Sequence, residues 1–151
     1  MHYPEQEKEI HDEIGTVLVE ELFEGAYSLW ENGMLYGAYY SRFKAKDYEE
    51  LLQEFQLDKK EKFRKLSKGQ KLKCQFAFAL ACHPKYLFLD EPTANFDPQF
   101  RAAFLKKIQE FVMDGEHTVL LATHMTEDLD RLADYLIYLQ EGQILYAGDM
   151  E

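Results

Sequence analysis

Tyr86-Leu87-Phe88-Leu89-Asp90-Glu91-Pro92 is the stretch on which the reading of this chain turns. Four apolar or aromatic residues in a row predict a short strand buried on both faces, as in a parallel sheet. Two carboxylates follow at once, and Pro92 ends the strand. In parallel α/β sheets, ligands bind beyond the carboxyl ends of the strands, so Asp90 and Glu91 are expected at such a rim. One carboxylate there suits a Mg²⁺ ion, and the other can accept a proton from water.

Moving outward, Leu66-Ser67-Lys68-Gly69-Gln70 precedes the strand. Ser67 and Gln70 have capping-box spacing and predict a helix running to about Cys82. Its apolar stripe is Leu72, Phe76, Ala79 and Leu80, widened by Ala77, Phe78 and Ala81. His83-Pro84 ends it. A helix start presents unpaired N–H groups and a positive dipole end, an anion site in waiting, and Gly69 would let a phosphate approach the backbone closely. On the other side of the strand, Asp97-Pro98 predicts a second helix start, with Asp at the N-cap and Pro at the first helical position. Phe100, Phe104, Ile108, Phe111 and Val112 form its stripe, and Gly115 follows its end. Thr118 to Ala122 reads as the next buried strand, which sets Thr123-His124 at the rim occupied by Asp90-Glu91. A histidine there could hydrogen-bond a terminal phosphate. Thr126 is expected to cap a short helix. Tyr135 to Leu139 and Gln143 to Tyr146 form a hairpin about Glu141-Gly142.

Taken in order, these pieces resemble the ATP-binding-cassette (ABC) ATPases. Leu66 to Gln70 is similar to the family's signature motif, Tyr86 to Glu91 to its Walker B strand, Thr93 to Asp97 to its D-loop, and Thr123-His124 to its switch histidine. The resemblance covers nearly the whole chain, from about Glu7 onward. It implies an α/β fold: a partial P-loop NTPase-type parallel sheet flanked by helices, with a helical subdomain. It also implies ATP and Mg²⁺ as cofactors. Asp90 would hold the metal, Glu91 would polarise the attacking water, and His124 would hold the γ-phosphate. Ser67, Lys68, Gly69 and Gln70 would reach ATP held by a second ATPase subunit, and Asp97 would couple the two sites of a dimer. Lys68 stands where the family more often has Gly; it adds positive charge near the phosphate. No GxxxxGKS/T phosphate loop occurs in these residues. That loop supplies the main grip on the phosphates, so this stretch alone is expected to bind ATP weakly and not to turn it over.

The resemblance also divides the chain. Residues 1–25 would be a connecting segment and a core strand, 26–66 the helical subdomain, and 67–151 the signature helix, Walker B and switch region. Residues 1–13 are polar and charged, with no convincing apolar period. Ile14 to Val19 reads as a strand. The family carries a metal-contacting Gln near the end of this strand. Val19 to Glu21 has none, leaving Glu20 or Glu21 as substitutes, or a plain solvated strand end. Ser28 to Phe43 approximates helical spacing through Leu29, Trp30, Leu35, Tyr36, Tyr39 and Tyr40, and Gly33 and Gly37 would allow close helix packing. Asp47 to Phe55 reads as a helix with Tyr48, Leu51, Leu52 and Phe55 on one face. Leu57 to Lys65 reads as a charged loop or turn. In the family such a block touches a transmembrane permease; the blander reading is a small helical insert with its own aromatic core.

Composition narrows the classes. The 151 residues make one domain or part of one, and the hydrophobic fraction of 46% and aromatic fraction of 15% argue for a packed core. A net charge of −11 argues against a nucleic-acid footprint, which needs a basic face. Cys74 and Cys82 lack metal-like spacing and read as reduced core thiols. No apolar run approaches the roughly 20 residues of a membrane span, and no signal peptide is visible. The chain is therefore expected to be cytoplasmic, peripheral to the membrane through a permease and not inserted. Two alternatives stand beside the ATPase reading. One is a non-catalytic interaction module that docks on a permease or a complete ATPase subunit. The other, an ABC-type DNA-repair or chromosome ATPase, fits less well, because 26–65 is a short block rather than a long coiled coil.

Overall fold

Eleven helices and strands build the described part of this computed structural model, which covers residues 4–18 and 22–150. In chain order they are α1 (Pro4–Glu13), β1 (Ile14–Val17), α2 (Leu29–Gly37), α3 (Ala45–Glu54), α4 (Lys68–Ala81), β2 (Tyr86–Asp90), α5 (Pro98–Val112), β3 (Thr118–Ala122), α6 (Thr126–Leu132), β4 (Tyr135–Gln140) and β5 (Gln143–Asp149). Short 3-10 turns occupy Phe63–Lys65 and Pro92–Asn95. The expected Gln-equivalent positions, Val19 to Glu21, lie outside the described residues.

β1, β2 and β3 form a parallel sheet in that order, with Gly15 beside Leu87 and Leu87 beside Val119. Parallel neighbours require long crossovers. Here α2, α3 and α4 fill the first and α5 the second. The core lies on one side of the sheet. Val17, Leu87 and Leu89 are buried with Leu72, Phe76 and Ala79 of α4 and with Phe100, Phe104 and Ile108 of α5. Phe76 sits between Phe55 and Phe104, with ring centroids 5.7 and 4.7 Å away. Gly15 lets Pro84 close over β1, since a Cβ there would stand 2.9 Å from the proline ring.

The other face corrects the expectation of a strand buried on both sides. Phe88 is 37% and Leu120 57% exposed. Helices α4 and α5 of the two crossovers pack against the Leu87 and Leu89 side, so alternate side chains of β2 point away from that core.

The segment before β1 also departs from its reading. Residues counted as a polar connection form α1, held by tertiary contacts instead of an apolar stripe. His11 stacks on Tyr40 at 4.4 Å. Asp12 accepts hydrogen bonds from the Ser41 backbone N–H (2.9 Å) and hydroxyl (2.6 Å), and these hold its carboxyl below the usual carboxylate range.

Within 26–66, the expected helix is shorter than its pattern. Ser28 caps α2 through a complete capping box with Glu31. The helix stops at Gly37, and Tyr39 and Tyr40 follow it in a turn. Asn32 is buried and anchors the preceding loop. Its side chain accepts from Glu24 N–H (2.8 Å) and donates to the Glu24 and Ser28 carbonyls (3.0 Å each). Both glycines allow close approach, as expected. A Cβ on Gly33 would overlap the Tyr48 ring, and one on Gly37 would overlap that of Phe43. Cys74 and Cys82 are free and buried, and burial pushes both thiols up to about 12. No described helix is long and apolar enough to cross a membrane.

β4 and β5 form a separate antiparallel hairpin. Glu141 and Gly142 both have positive φ, 48° and 76°, the backbone that a tight hairpin turn of matching twist demands. Its Tyr135, Ile137, Leu139, Ile144 and Tyr146 are all about half exposed or more. Among the described residues β1 and β3 are open edges, and an open edge beside uncovered apolar surface templates pairing. The 151-residue chain is therefore expected to self-associate. Light scattering that returns a clean monomer would refute this.

Candidate functional site

β2 and β3 run in register to Asp90 and Ala122, so the residues just beyond them share one rim. Asp90 ends β2 with its carboxylate exposed. Glu91 then turns sharply in the left-handed region, at φ 45° and ψ 44°. Its N–H donates to the Ala122 carbonyl at 2.8 Å, fastening the turn to the end of β3. A bulky residue in this conformation is strained by about 1–2 kcal/mol, and such strain is held where surrounding structure dictates it.

The turn aims the Glu91 side chain at β3's extension. His124 Nδ1 lies 2.9 Å from Glu91 Oε2. The carboxylate can only accept, so Nδ1 carries the shared proton. In neutral imidazole Nε2 then bears a lone pair. His124 can donate to a phosphate oxygen only after gaining a second proton or after its Nδ1–H leaves Glu91. The imidazole is otherwise largely exposed. Beneath it, buried Thr93 reaches Met125 Sδ through its hydroxyl at 3.6 Å, and the Thr123 hydroxyl accepts from Met125 N–H at 3.0 Å. Met125, not Thr126, is the cap residue of α6, and no described side chain caps the helix; the Thr123 bond holds the turn that leads into it.

α4 begins with the capping box read from its spacing: Ser67 Oγ accepts from Gln70 N–H (3.2 Å), and Gln70 Oε1 accepts from Ser67 N–H (2.9 Å). Lys68 is exposed beside them. Gly69 has a neighbour that the sequence reading did not supply. A Cβ there would stand 2.4 Å from the Asn95 carbonyl oxygen. The close approach that this glycine makes is to the backbone of the Pro92–Asn95 turn.

Asp97 caps α5, accepting from Phe100 N–H at 2.9 Å. Its second oxygen is 3.3 Å from Lys73 Nζ. The Phe100 N–H and Lys73 hold this carboxyl below the usual range. Stability from it is present above the unfolded value and is lost as pH falls through the folded one. The motifs alone do not single out Lys73. Its signal was a cation within the apolar run of α4, and its side chain is only 15% exposed.

Asp90, Glu91 and His124 thus share the strand rim, while Ser67 to Gln70 and Asp97 form a second cluster joined to it by the Pro92–Asn95 turn. No group of three or more His, Cys, Asp or Glu side chains that could hold a metal occurs among the described residues. One exposed carboxylate fits Mg²⁺, which takes few protein ligands and completes its shell with water and phosphate oxygens.

A family model described as "ABC transporter" matches residues 1–94. The phosphate import ATP-binding protein PstB of Aeropyrum pernix is 37% identical over 83 residues, 55% of this chain and 33% of that protein. The Nod factor export ATP-binding protein I of Rhizobium leguminosarum bv. viciae is 32% identical over 151 residues, 96% of this chain and 48% of that protein. That alignment extends past the family match to include Asp97 and His124. The chain spans less than half the length of either relative. Among solved structures, a dimeric post-hydrolysis ATP-binding cassette bound to ADP and Pi superposes with a TM-score of 0.85 at 22% identity, covering 100% of this chain and 68% of that one. CbiO1 of Clostridium perfringens, part of the ABC transporter complex CbiONQ, gives 0.74 at 24% identity, covering 99% and 62%. At these identities the likeness shows the fold.

Proposed function

Because the chain belongs to the ABC transporter family, we propose that it supplies the metal-binding, water-activating and signature elements of an ATP-hydrolysing subunit. The observation that carries this is the hydrogen bond between Glu91 and His124 at the shared end of β2 and β3. Asp90, beside them, holds Mg²⁺, which when bound neutralises charge on the phosphates. Glu91 accepts the proton of the attacking water, and His124 contacts the γ-phosphate. Ser67, Lys68, Gly69 and Gln70 present the α4 tip to a nucleotide held by a second ATPase subunit, with Asp97 at the junction. Most of the rate enhancement then comes from positioning and charge neutralisation. Residues 26–66 form the helical subdomain that meets a transmembrane permease, which keeps the subunit at the inner face of the membrane.

A second reading is a non-catalytic module that docks on a permease or a complete subunit. The uncovered Phe88 and Leu120 face favours a docking role. Hydrolysis separates the two. Titrated alone with Mg-ATP in a calorimeter, residues 1–151 are expected to bind weakly or not at all, since they contain no phosphate loop. Supplied with a phosphate-loop segment, by extending the reading frame or by co-expression, they are expected to release phosphate. Micromolar binding by the chain alone would overturn the first expectation. An assembly that binds ATP without hydrolysing it would favour the docking module.

A further inference from the structure

We propose that Lys73 is a positioning residue that clamps the α4 tip to the Pro92–Asp97 loop, so that the two halves of the second cluster move as one body. Three contacts carry this. Gly69 lies against the Asn95 carbonyl, closely enough that no Cβ fits between them. Four residues on, one helical turn along the same face, Lys73 Nζ sits 3.3 Å from Asp97 Oδ2. The same ammonium lies 4.3 Å from the ring centre of Phe100, the residue whose N–H Asp97 caps.

Lys73 thus bonds the capping carboxylate and covers the first turn of α5 at once. Its ammonium is largely shielded, and a cation over an aromatic face gains from that shielding. Arg101, the next cation along α5, engages Glu127 of α6 at 3.8 Å. Among the side-chain contacts described at Asp97, Lys73 supplies the positive charge. Without the clamp, Asp97 still caps α5 through Phe100 and Gly69 still meets Asn95, but the charged bond that ties the cap to α4 is gone.

The consequence for catalysis rests on the reading proposed above. If the α4 tip and Asp97 both serve a nucleotide held by another subunit, the clamp delivers them together in fixed register. Misplacement by about 1 Å at such a site costs up to roughly 100-fold in rate.

The test compares wild type, Lys73→Met and Lys73→Arg. Methionine keeps an apolar stem over Phe100 and removes the charge; arginine keeps both. In the first measurement, carbon-detected NMR follows the Asp97 carboxyl through acid pH in residues 1–151. Asp97 is expected to titrate at higher pH in Lys73→Met and close to wild type in Lys73→Arg. Loss of packing alone would not move the midpoint in this pattern. Identical midpoints in all three proteins overturn the clamp. In the second, phosphate release is measured in the assembly that carries a phosphate-loop segment. Lys73→Met is expected to fall about tenfold or more in kcat with little change in KM, and Lys73→Arg to recover most of it. A wild-type assembly without hydrolysis defeats the nucleotide reading, while the titration still decides the clamp. An active assembly indifferent to Lys73→Met defeats the positioning role.

Discussion

Glu91→Gln is expected to reduce phosphate release by an assembly carrying this chain about 100- to 10,000-fold, the range that a general base contributes. Glutamine has the same shape and keeps the Oε acceptor, so the hydrogen bond from His124 Nδ1 at 2.9 Å survives. The backbone bond from residue 91 to the Ala122 carbonyl does not involve the side chain at all. What disappears is the capacity to take a proton from water. Nucleotide binding is then expected to persist while turnover stops, and stability should shift by no more than about 1 kcal/mol, because this half-buried position keeps its shape and its accepting oxygen. Glu91→Gly offers a second handle. Residue 91 sits at φ 45°, which a side chain resists and glycine accepts. This variant should be as stable as wild type or more so by up to about 1 kcal/mol, and equally inactive. A residue whose removal relaxes the backbone but ends the reaction is retained for its chemistry. Phosphate release within tenfold of wild type in either variant would remove Glu91 from the base role.

The parts of this fold that were legible in the sequence are those fixed by neighbours close along the chain. The capping box at Ser67, the Asp97-Pro98 helix start and the Glu141-Gly142 turn each depend on a few adjacent side chains and backbone angles. The α5 stripe was legible too, because Phe100, Phe104 and Ile108 repeat at helical spacing and are all buried. Contacts between distant segments were not. The run Leu87-Phe88-Leu89 contains no clue that helices cover only one face. α1 has no stripe of its own, and its anchor is Asp12 against Ser41, 29 residues away. Gly69 was read as room for a phosphate, and its spacing is silent on Asn95. The rim itself was inferred correctly from two strand ends. The bond between Glu91 and His124, 33 residues apart, needed the β2–β3 register to place both side chains on one line.

Gly33→Ala is expected to destabilise the chain by about 2–4 kcal/mol, although alanine is the better helix former by about 1 kcal/mol. Gly33 lies within α2, and its Cβ would fall 2.0 Å from Tyr48 Cε1 and 2.6 Å from Cδ1. The ring has no room to retreat. Tyr48 is fully buried, and its hydroxyl donates to the Leu29 carbonyl at 2.7 Å. Trp30 stacks on it, Phe78 meets it edge-on, and Phe43 leans against it. Either α2 moves outward, opening the contact with α3, or Tyr48 gives up its bond and leaves a buried polar group unpaired. For a chain of this size the loss corresponds to a fall in melting temperature of roughly 4–16 °C. A double-mutant cycle isolates the cause. With Tyr48→Ala already in place the overlap is gone, and adding Gly33→Ala should then be neutral or stabilising by up to about 1 kcal/mol. If Gly33→Ala costs the same in both backgrounds, the close approach of Gly33 to Tyr48 is not what binds α2 to α3.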